Sequence, residues 1–356
     1  MLKLRTTHML AVAGLLAAAS ACDGGPQDVR NATGSIKIDG SSTVYPITEA
    51  VAEEFKAAAP RVRVTVGISG TGGGFKKFCR GEIDVANASR PISESEMKAA
   101  KEAGIEYVEL PICFDALTVV VNPTNTWCDT ITVEELRRIW SPEAENKVTK
   151  WSHVRPEWPD EKIDLFGPGT DSGTFDYFTE AIVGKSRSSR SDYTASEDDN
   201  VIVRGIQGSK HSLGYVGYAY FAASEGSLAA VKIDWEKDTV GPIEPSTENV
   251  LAGVYNPLSR PLFIYVNKQA AASKPHVRQF VDFYLQHAKE LATEVHYVPL
   301  SDKAYAMVTE RFAKLQSGTG FAGRPAVGVR VEEVLNRPLS DEVKAAEAGA
   351  KKAGGE

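Results

Sequence analysis

Three short stretches of this 356-residue chain crowd together glycine and hydroxyl side chains: GSSTVYP (Gly40 to Pro46), SGTGGG (Ser69 to Gly74) and GPGTDSGTF (Gly167 to Phe175). Serine and threonine donate hydrogen bonds without carrying charge, and glycine lets the backbone itself approach a ligand. The first turn of a helix has unpaired N–H groups and the positive end of the helix dipole, so a small-residue loop that leaves them open suits an anion. One such loop signifies little, because Ser, Thr and Asp also cap helices and glycine also turns chains. Three of them gain weight if they meet at one edge of a sheet.

The flanking residues set up that meeting. Ser35 to Asp39 and Val62 to Ile68 read as strands; Ile47, Val51 and Phe55 recur every four residues over Ile47 to Ala58, as a helix face requires; and Phe75 to Arg80 begins a second helix. The order repeats with the strand Ile163 to Phe166 and the helix Phe175 to Val183. Strand, loop and helix in succession build an α/β sheet with crossover helices, whose ligands gather at the carboxyl ends of the strands. The length suits two lobes. The apolar runs Ala116 to Val121 and Leu262 to Val266, each followed by asparagine (Asn122 and Asn267), are expected to be paired crossings between lobe 1 (34–122 plus 257–340) and lobe 2 (123–256). The aromatic stretch SLGYVGYAYF, Ser212 to Phe221, is expected to fill core.

A doubly charged oxyanion needs fixed positive charge as well as neutral donors. Arg90, beside Ser89 in DVANASRP, follows a strand-like run and is expected at a strand end, where its guanidinium can hold two oxygens at once. An ionised carboxylate repels an anion unless that anion has a proton to give, as phosphate does near neutral pH and sulfate does not. Asp171, in the third loop, and Asp115, which interrupts the apolar run LPICFDALTVVV, are the candidate proton acceptors, with Asp115 ranked ahead.

The remaining composition excludes several functions. SGTGGGFKK is not a phosphate-binding P-loop, since Phe75 separates the glycines from lysine and no hydroxyl follows, and GxGxxG fits it only imperfectly; no nucleotide or other cofactor is expected. The six histidines and four cysteines show no metal-ligand spacing, so no metal is expected. Met1 to Ala21 has Lys3 and Arg5 ahead of an apolar stretch and ends in small residues, the layout of a cleaved secretory signal. Cys22 directly after it reads as a lipobox cysteine, which predicts lipidation, a polar tether over 22–33 and membrane contact through the lipid. Losing Lys3 and Arg5 takes the formal charge from −7 to −9, which argues against nucleic acid as a partner. Cys79, Cys113 and Cys128 then allow at most one internal disulfide, and the sequence does not choose the pair. The low-complexity tail 341–356 is expected to be disordered.

The combination of DGSSTVYP, GTGGGFKKFC, GEIDVANASRP, FGPGTDSGTFDYF and GYVGYAYF, in this order over nearly all of the mature chain, resembles the periplasmic phosphate-binding proteins of bacterial phosphate ABC importers, the PstS family, and especially its SphX-like branch. The resemblance implies a two-lobed type II periplasmic binding protein of the Venus-flytrap kind, a monomer that closes on one inorganic phosphate and hands it to permease subunits without chemistry. Carried over by position, it implies phosphate contacts from Ser42, Thr43 and the amide of Val44, from Thr71, from Ser89 and Arg90, and from Ser172, Gly173 and Thr174. The chain departs from the best-known branch, which has an aspartate in the place of Arg90 and an arginine where Pro168 stands, and this leaves the proton acceptor open. Two other readings compete: a receptor for another oxyanion, such as sulfate, molybdate or a phosphate ester, and a secreted phosphatase using Ser172 as nucleophile. The second lacks a GxSxG elbow and a nearby histidine in sequence.

Overall fold

The computed structural model describes residues 29–339, apart from 171, 197, 225, 238, 239, 325, 327 and 328. The leader, Cys22, most of the tether, Asp171 and the tail therefore lie outside the described residues.

Four strands come first: β1 (Gly34–Gly40), β2 (Val62–Ile68), β3 (Val85–Ala88) and the long β4 (Tyr107–Val121). Between them run the helices α1 (Tyr45–Ala58), α2 (Gly70–Cys79) and α3 (Glu94–Glu102). β1 pairs in parallel with β2 on one side and β3 on the other, so all three deliver their carboxyl ends, at Gly40, Ile68 and Ala88, to one edge. The strand Ser259–Asn267 is antiparallel to both β3 and β4. β4 then continues into a second half of the sheet. Its last residues, Leu117–Val121, pair with Ser212–Gly217, which is parallel to Asp164–Pro168. One curled mixed sheet thus runs through two lobes, with β4 passing from one to the other.

The two apolar runs expected to pair as crossings are not partners. Leu262–Val266 lies opposite Val108–Cys113, while the sheet changes neighbours between Ala116 and Leu117. All fifteen residues of β4 are buried, so hydrophobicity alone marks no boundary along it.

α2 also differs from expectation, because the glycine stretch is not a loop but the helix's own first turns. The reason is crowding at the strand ends. A Cβ on Gly74 would lie 2.6 Å from the Cα of Gly40, and one on Gly40, whose φ is +142°, would lie 2.1 Å from the carbonyl oxygen of Asn87. Only glycine at both positions lets α2 start directly over the tips of β1 and β3. Asp39 fastens the same corner by accepting from the Ser69 amide (3.0 Å), the Ser69 hydroxyl (2.7 Å) and the Lys77 ammonium. Burial works against ionisation of Asp39, but these partners outweigh it and hold the carboxyl below its ordinary range.

Tyr215 of the aromatic stretch is fully buried and stacks on Phe178 with ring centroids 3.6 Å apart, as core. Cys79, Cys113 and Cys128 are all free and buried. Burial pushes the Cys128 thiol up to about 12 and that of Cys113 well above its usual value, so both stay protonated and unreactive near neutral pH.

The close approach of α2 to β1 is testable by contrast. Gly74→Ala is expected to destabilise the fold by about 1–3 kcal/mol, because the methyl group meets rigid backbone. Gly72→Ala, whose Cβ would meet nothing within 4 Å, is expected to be neutral or to stabilise by up to ~1 kcal/mol. Urea unfolding of the two variants checks the pair; equal destabilisation would contradict the packing argument.

Candidate functional site

The first two small-residue stretches meet at one cleft; of the third, Ser172, Gly173 and Thr174 are not among the residues lining that cleft, although Gly173 abuts Thr43. Ser41, Ser42 and Thr43 after β1, Gly70 and Thr71 at the start of α2, and Ser89 and Arg90 after β3 line one cleft of about 170 Å³. Asp176, Glu180, Ser186 and Arg260 complete its lining. The helix Gly173–Phe178 begins at Ser172 and continues through a π-turn over Thr179–Val183.

The donors at this cleft are set by the chain's local geometry. The Ser41 amide is used by the carbonyl of Asn87, and α1 starts only at Tyr45. The amides of Ser42, Thr43 and Val44 have no backbone acceptor among the described residues. The Tyr297 hydroxyl donates to the Thr43 carbonyl and holds this loop from behind. The Val44 side chain is fully buried, which leaves only its backbone for a ligand. Thr71 and Ser89 come together with their hydroxyl oxygens 3.1 Å apart, and Thr71 also accepts from the Ser89 amide at 3.2 Å. The third stretch reaches the first: a Cβ on Gly173 would lie 3.1 Å from both the Cα and the hydroxyl oxygen of Thr43. A side chain at 173 would hold the walls apart. The Ser172 hydroxyl caps its helix by accepting from the Thr174 amide at 3.2 Å.

The charges are distributed differently from the expectation. Both nitrogens of the Arg90 fork lie 2.8 Å from Glu96, and a third bond goes to the Pro91 carbonyl. Glu96 is itself fixed as the returning partner of a capping box with Ser93 at the start of α3. Arg90 therefore lines the cleft with its fork engaged. Arg260 is the cation that the sequence reading missed. Its Nη2 donates to the Thr43 hydroxyl at 3.1 Å and stands 3.5 Å from Asp115, its Nη1 is 3.4 Å from Glu180, and its guanidinium lies 3.7 Å over the Tyr177 ring. Its Nε is buried without a hydrogen-bond partner among the described residues. Arg260 and Asp115 are directly opposite in the antiparallel pair of β4 and Ser259–Asn267.

Asp115 is 4% exposed and is not among the residues lining the cleft. Burial pushes its carboxyl above the ordinary range, and the Arg260 charge draws it back only in part, as a contact of 3.5 Å allows. The carboxylates that do reach the wall, Asp176 and Glu180, are one helical turn apart in GTFDYFTE and were not singled out from sequence. Arg187 joins them, donating to the Thr170 carbonyl at 2.6 Å and standing 3.6 Å from Asp176. A signal for Arg260 existed. It is a lone cation in a strand as apolar as the one interrupted by Asp115, and each buried charge demands the other.

A crevice between two lobes, lined by hydroxyls, helix-start amides and a partly buried arginine, is built to take the place of water around a small anion. Comparison with known proteins agrees: residues 26–287 match the PBP superfamily domain. The chain belongs to the PBP superfamily. It is 51% identical over 308 residues to Protein SphX of Synechocystis sp., covering 86% of this chain and 91% of that one. It is 37% identical over 303 residues to the phosphate-binding protein PstS of Staphylococcus saprophyticus, covering 84% and 90%. A crystal structure described as a possible phosphate-binding protein from Planctomyces limnophilus matches with a TM-score of 0.76 at 49% identity, covering 80% of this chain and 99% of that chain.

Within this PBP-superfamily frame, no helix among the described residues is long and apolar enough to cross a membrane. Among those residues, no group of three or more His, Cys, Asp or Glu side chains is placed to hold a metal ion.

The Arg260 geometry yields a prediction that separates binding from folding. Arg260→Ala is expected to weaken anion binding by about 2–5 kcal/mol and to destabilise the fold, since it leaves Asp115 buried without its partner. Adding Asp115→Asn is expected to restore much of the stability and none of the affinity. Calorimetry and thermal melts of the single and double variants check this; recovery of affinity in the double variant would remove Arg260 from the site.

Proposed function

We propose that this protein is an extracytoplasmic receptor that captures inorganic phosphate in the cleft and passes it to the permease of an ABC importer, held at the membrane by lipid on Cys22. The observation that carries the reading is the convergence of three sequence-distant donor loops, with Gly173 of one lobe seated against Thr43 of the other. The names borne by the Staphylococcus relative and the Planctomyces structure support the choice of phosphate.

In this reading the amides of Ser42, Thr43 and Val44 and the hydroxyls of Ser42, Thr43, Thr71 and Ser89 take the oxygens on one side. Gly173 and Thr174 serve from the other lobe, while Ser172 shapes the helix start that presents them. Arg260 supplies the fixed positive charge under the anion, with Asp115 as its buried support. Arg90 contributes field from the wall while Glu96 holds its fork. Asp176 is the favoured proton acceptor, because its carboxylate lines the cleft whereas Asp115 does not. The receptor performs no chemistry. Ser172 has its hydroxyl committed to a cap and is not among the residues lining the cleft, which leaves the serine-nucleophile reading without support.

The rival reading, a receptor for an unprotonated oxyanion, conflicts with two carboxylates on the wall. Isothermal titration near neutral pH is expected to show one phosphate per chain and a preference over sulfate on the order of a hundredfold or more. Asp176→Asn is expected to shrink that preference by admitting sulfate. Comparable affinity for both anions in the wild type would overturn the phosphate assignment.

A further inference from the structure

The antiparallel pair that sets Arg260 opposite Asp115 carries a second polar pair, Tyr265 opposite Glu109, neither of which lines the cleft. Tyr265 is fully buried and Glu109 is 1% exposed. The Tyr265 hydroxyl donates to Glu109 Oε2 at 2.8 Å and accepts from the Ile92 amide at 2.8 Å. The other carboxyl oxygen accepts from the Gly320 amide at 3.0 Å, and the Thr319 side chain adds a further hydrogen bond. Burial, with Glu109 beside it, pushes the Tyr265 phenol well above its ordinary value, so the phenol keeps the proton that it gives to Glu109. The direction of both bonds is thereby fixed, from Ile92 through Tyr265 to Glu109. The amide held in this way adjoins the binding residues. Ile92 follows Ser89, Arg90 and Pro91 directly, in the turn between β3 and α3. The Tyr265 ring also packs edge-on against Phe75 of α2, with centroids 4.9 Å apart, and the Arg90 guanidinium lies 5.6 Å over that same Phe75 ring. Because α2 begins with Gly70 and Thr71, both sides of the Thr71 and Ser89 hydroxyl contact are backed by one tyrosine.

We propose that Tyr265 and Glu109 are positioning residues for the anion: they hold the turn after β3 in one arrangement, so that the Ser89 hydroxyl, paired with Thr71, meets the ligand already aimed. The proposal rests on the phosphate reading of the cleft. A buried amide without an acceptor is costly, so the turn keeps Ile92 in its place only while the tyrosine oxygen is there to receive it. Donors fixed beforehand lose little freedom on binding, and for a small ion that saving is a large part of the affinity. Glu109 stands in a strand whose residues are all buried, where a carboxyl group costs more than an apolar side chain of similar size. What it provides at that position is the acceptor that orients the Tyr265 hydroxyl, and Thr319 and Gly320 grip it from the far side. Neither residue touches the ion; both act through Ile92 on Ser89.

The test is calorimetry of the full mature chain with inorganic phosphate as the probe, alongside hydrogen exchange at the Ile92 amide. Tyr265→Phe keeps the ring and removes the one oxygen. It is expected to weaken phosphate by roughly fivefold to thirtyfold and to speed exchange of the Ile92 amide by at least about tenfold. Glu109→Gln keeps the shape, but its amide group cannot accept from both Tyr265 and Gly320, and a loss of roughly twofold to tenfold in phosphate affinity is expected. Tyr305→Phe is the control for lost stability alone, because it removes another buried hydroxyl bond to β4, donated to the Ile112 carbonyl at 2.8 Å. It is expected to change phosphate affinity less than about twofold. In a Ser89→Ala background the effect of Tyr265→Phe is expected to fall below about threefold, since the hydroxyl that it aims is gone. Unchanged affinity in Tyr265→Phe and Glu109→Gln would overturn the inference, as would an equal loss in Tyr305→Phe or a loss that Ser89→Ala leaves undiminished. Wild-type protein that binds no phosphate would instead overturn the phosphate reading beneath it.

Discussion

A small multivalent anion gives up its water only to donors already fixed in position, because any donor that must be ordered at the moment of binding subtracts its own entropy from the gain. In this chain the fixing is done by the edge of a parallel sheet. β1, β2 and β3 end together, and the crossover loops after them have no length in which to wander. Gly40 and Gly74 allow the start of α2 to rest on the strand tips, and Asp39 ties that start down through Ser69 and Lys77. The amides of Ser42, Thr43 and Val44, which have no backbone acceptor among the described residues, and the hydroxyls of Ser42, Thr43, Thr71 and Ser89 are consequences of where those strands stop.

Charge is supplied by a different device, the register of an antiparallel pair. Arg260 and Asp115 stand opposite each other on strands that are mostly apolar. Removing either would leave a buried charge alone, a penalty larger than most surface ion pairs are worth. The 3.5 Å separation leaves the pair loosely joined, and the guanidinium also reaches the Thr43 hydroxyl. The same side chain therefore holds the two strands in register and sets the potential of the cleft. Arg90, which its position after β3 suggested for this part, is drawn aside by Glu96 into the capping of α3.

The legibility of the sequence divides along the same line. What depends on local chain order was readable: the three strand, loop and helix units announce themselves in GSSTVYP, SGTGGG and GPGTDSGTF, and with them the α/β class, while Thr43, Thr71 and Ser89 were implied by the family resemblance and line the cleft. What depends on long-range pairing was not. Arg260 and Asp115 are 145 residues apart and are matched only by strand register, and the passage of β4 between lobes is hidden in a strand that is buried from end to end. Asp176 and Glu180 looked like ordinary polar positions of a helix, because which face meets the cleft is decided by how Phe178 of that helix packs on Tyr215 and Trp140. One miss was avoidable. Ser93 and Glu96 form a capping-box signature a few residues after Arg90, which placed an acid within its reach.

The central claim is that separate stretches of chain from both lobes close around one tetrahedral ion. A crystal structure of the mature protein grown with phosphate tests it most directly. The account predicts one phosphate bound between the Thr43, Thr71 and Gly173 segments, with Arg260 on its inner side. Phosphate bound elsewhere, or the three segments lying apart around an empty cleft at saturating phosphate, would contradict it.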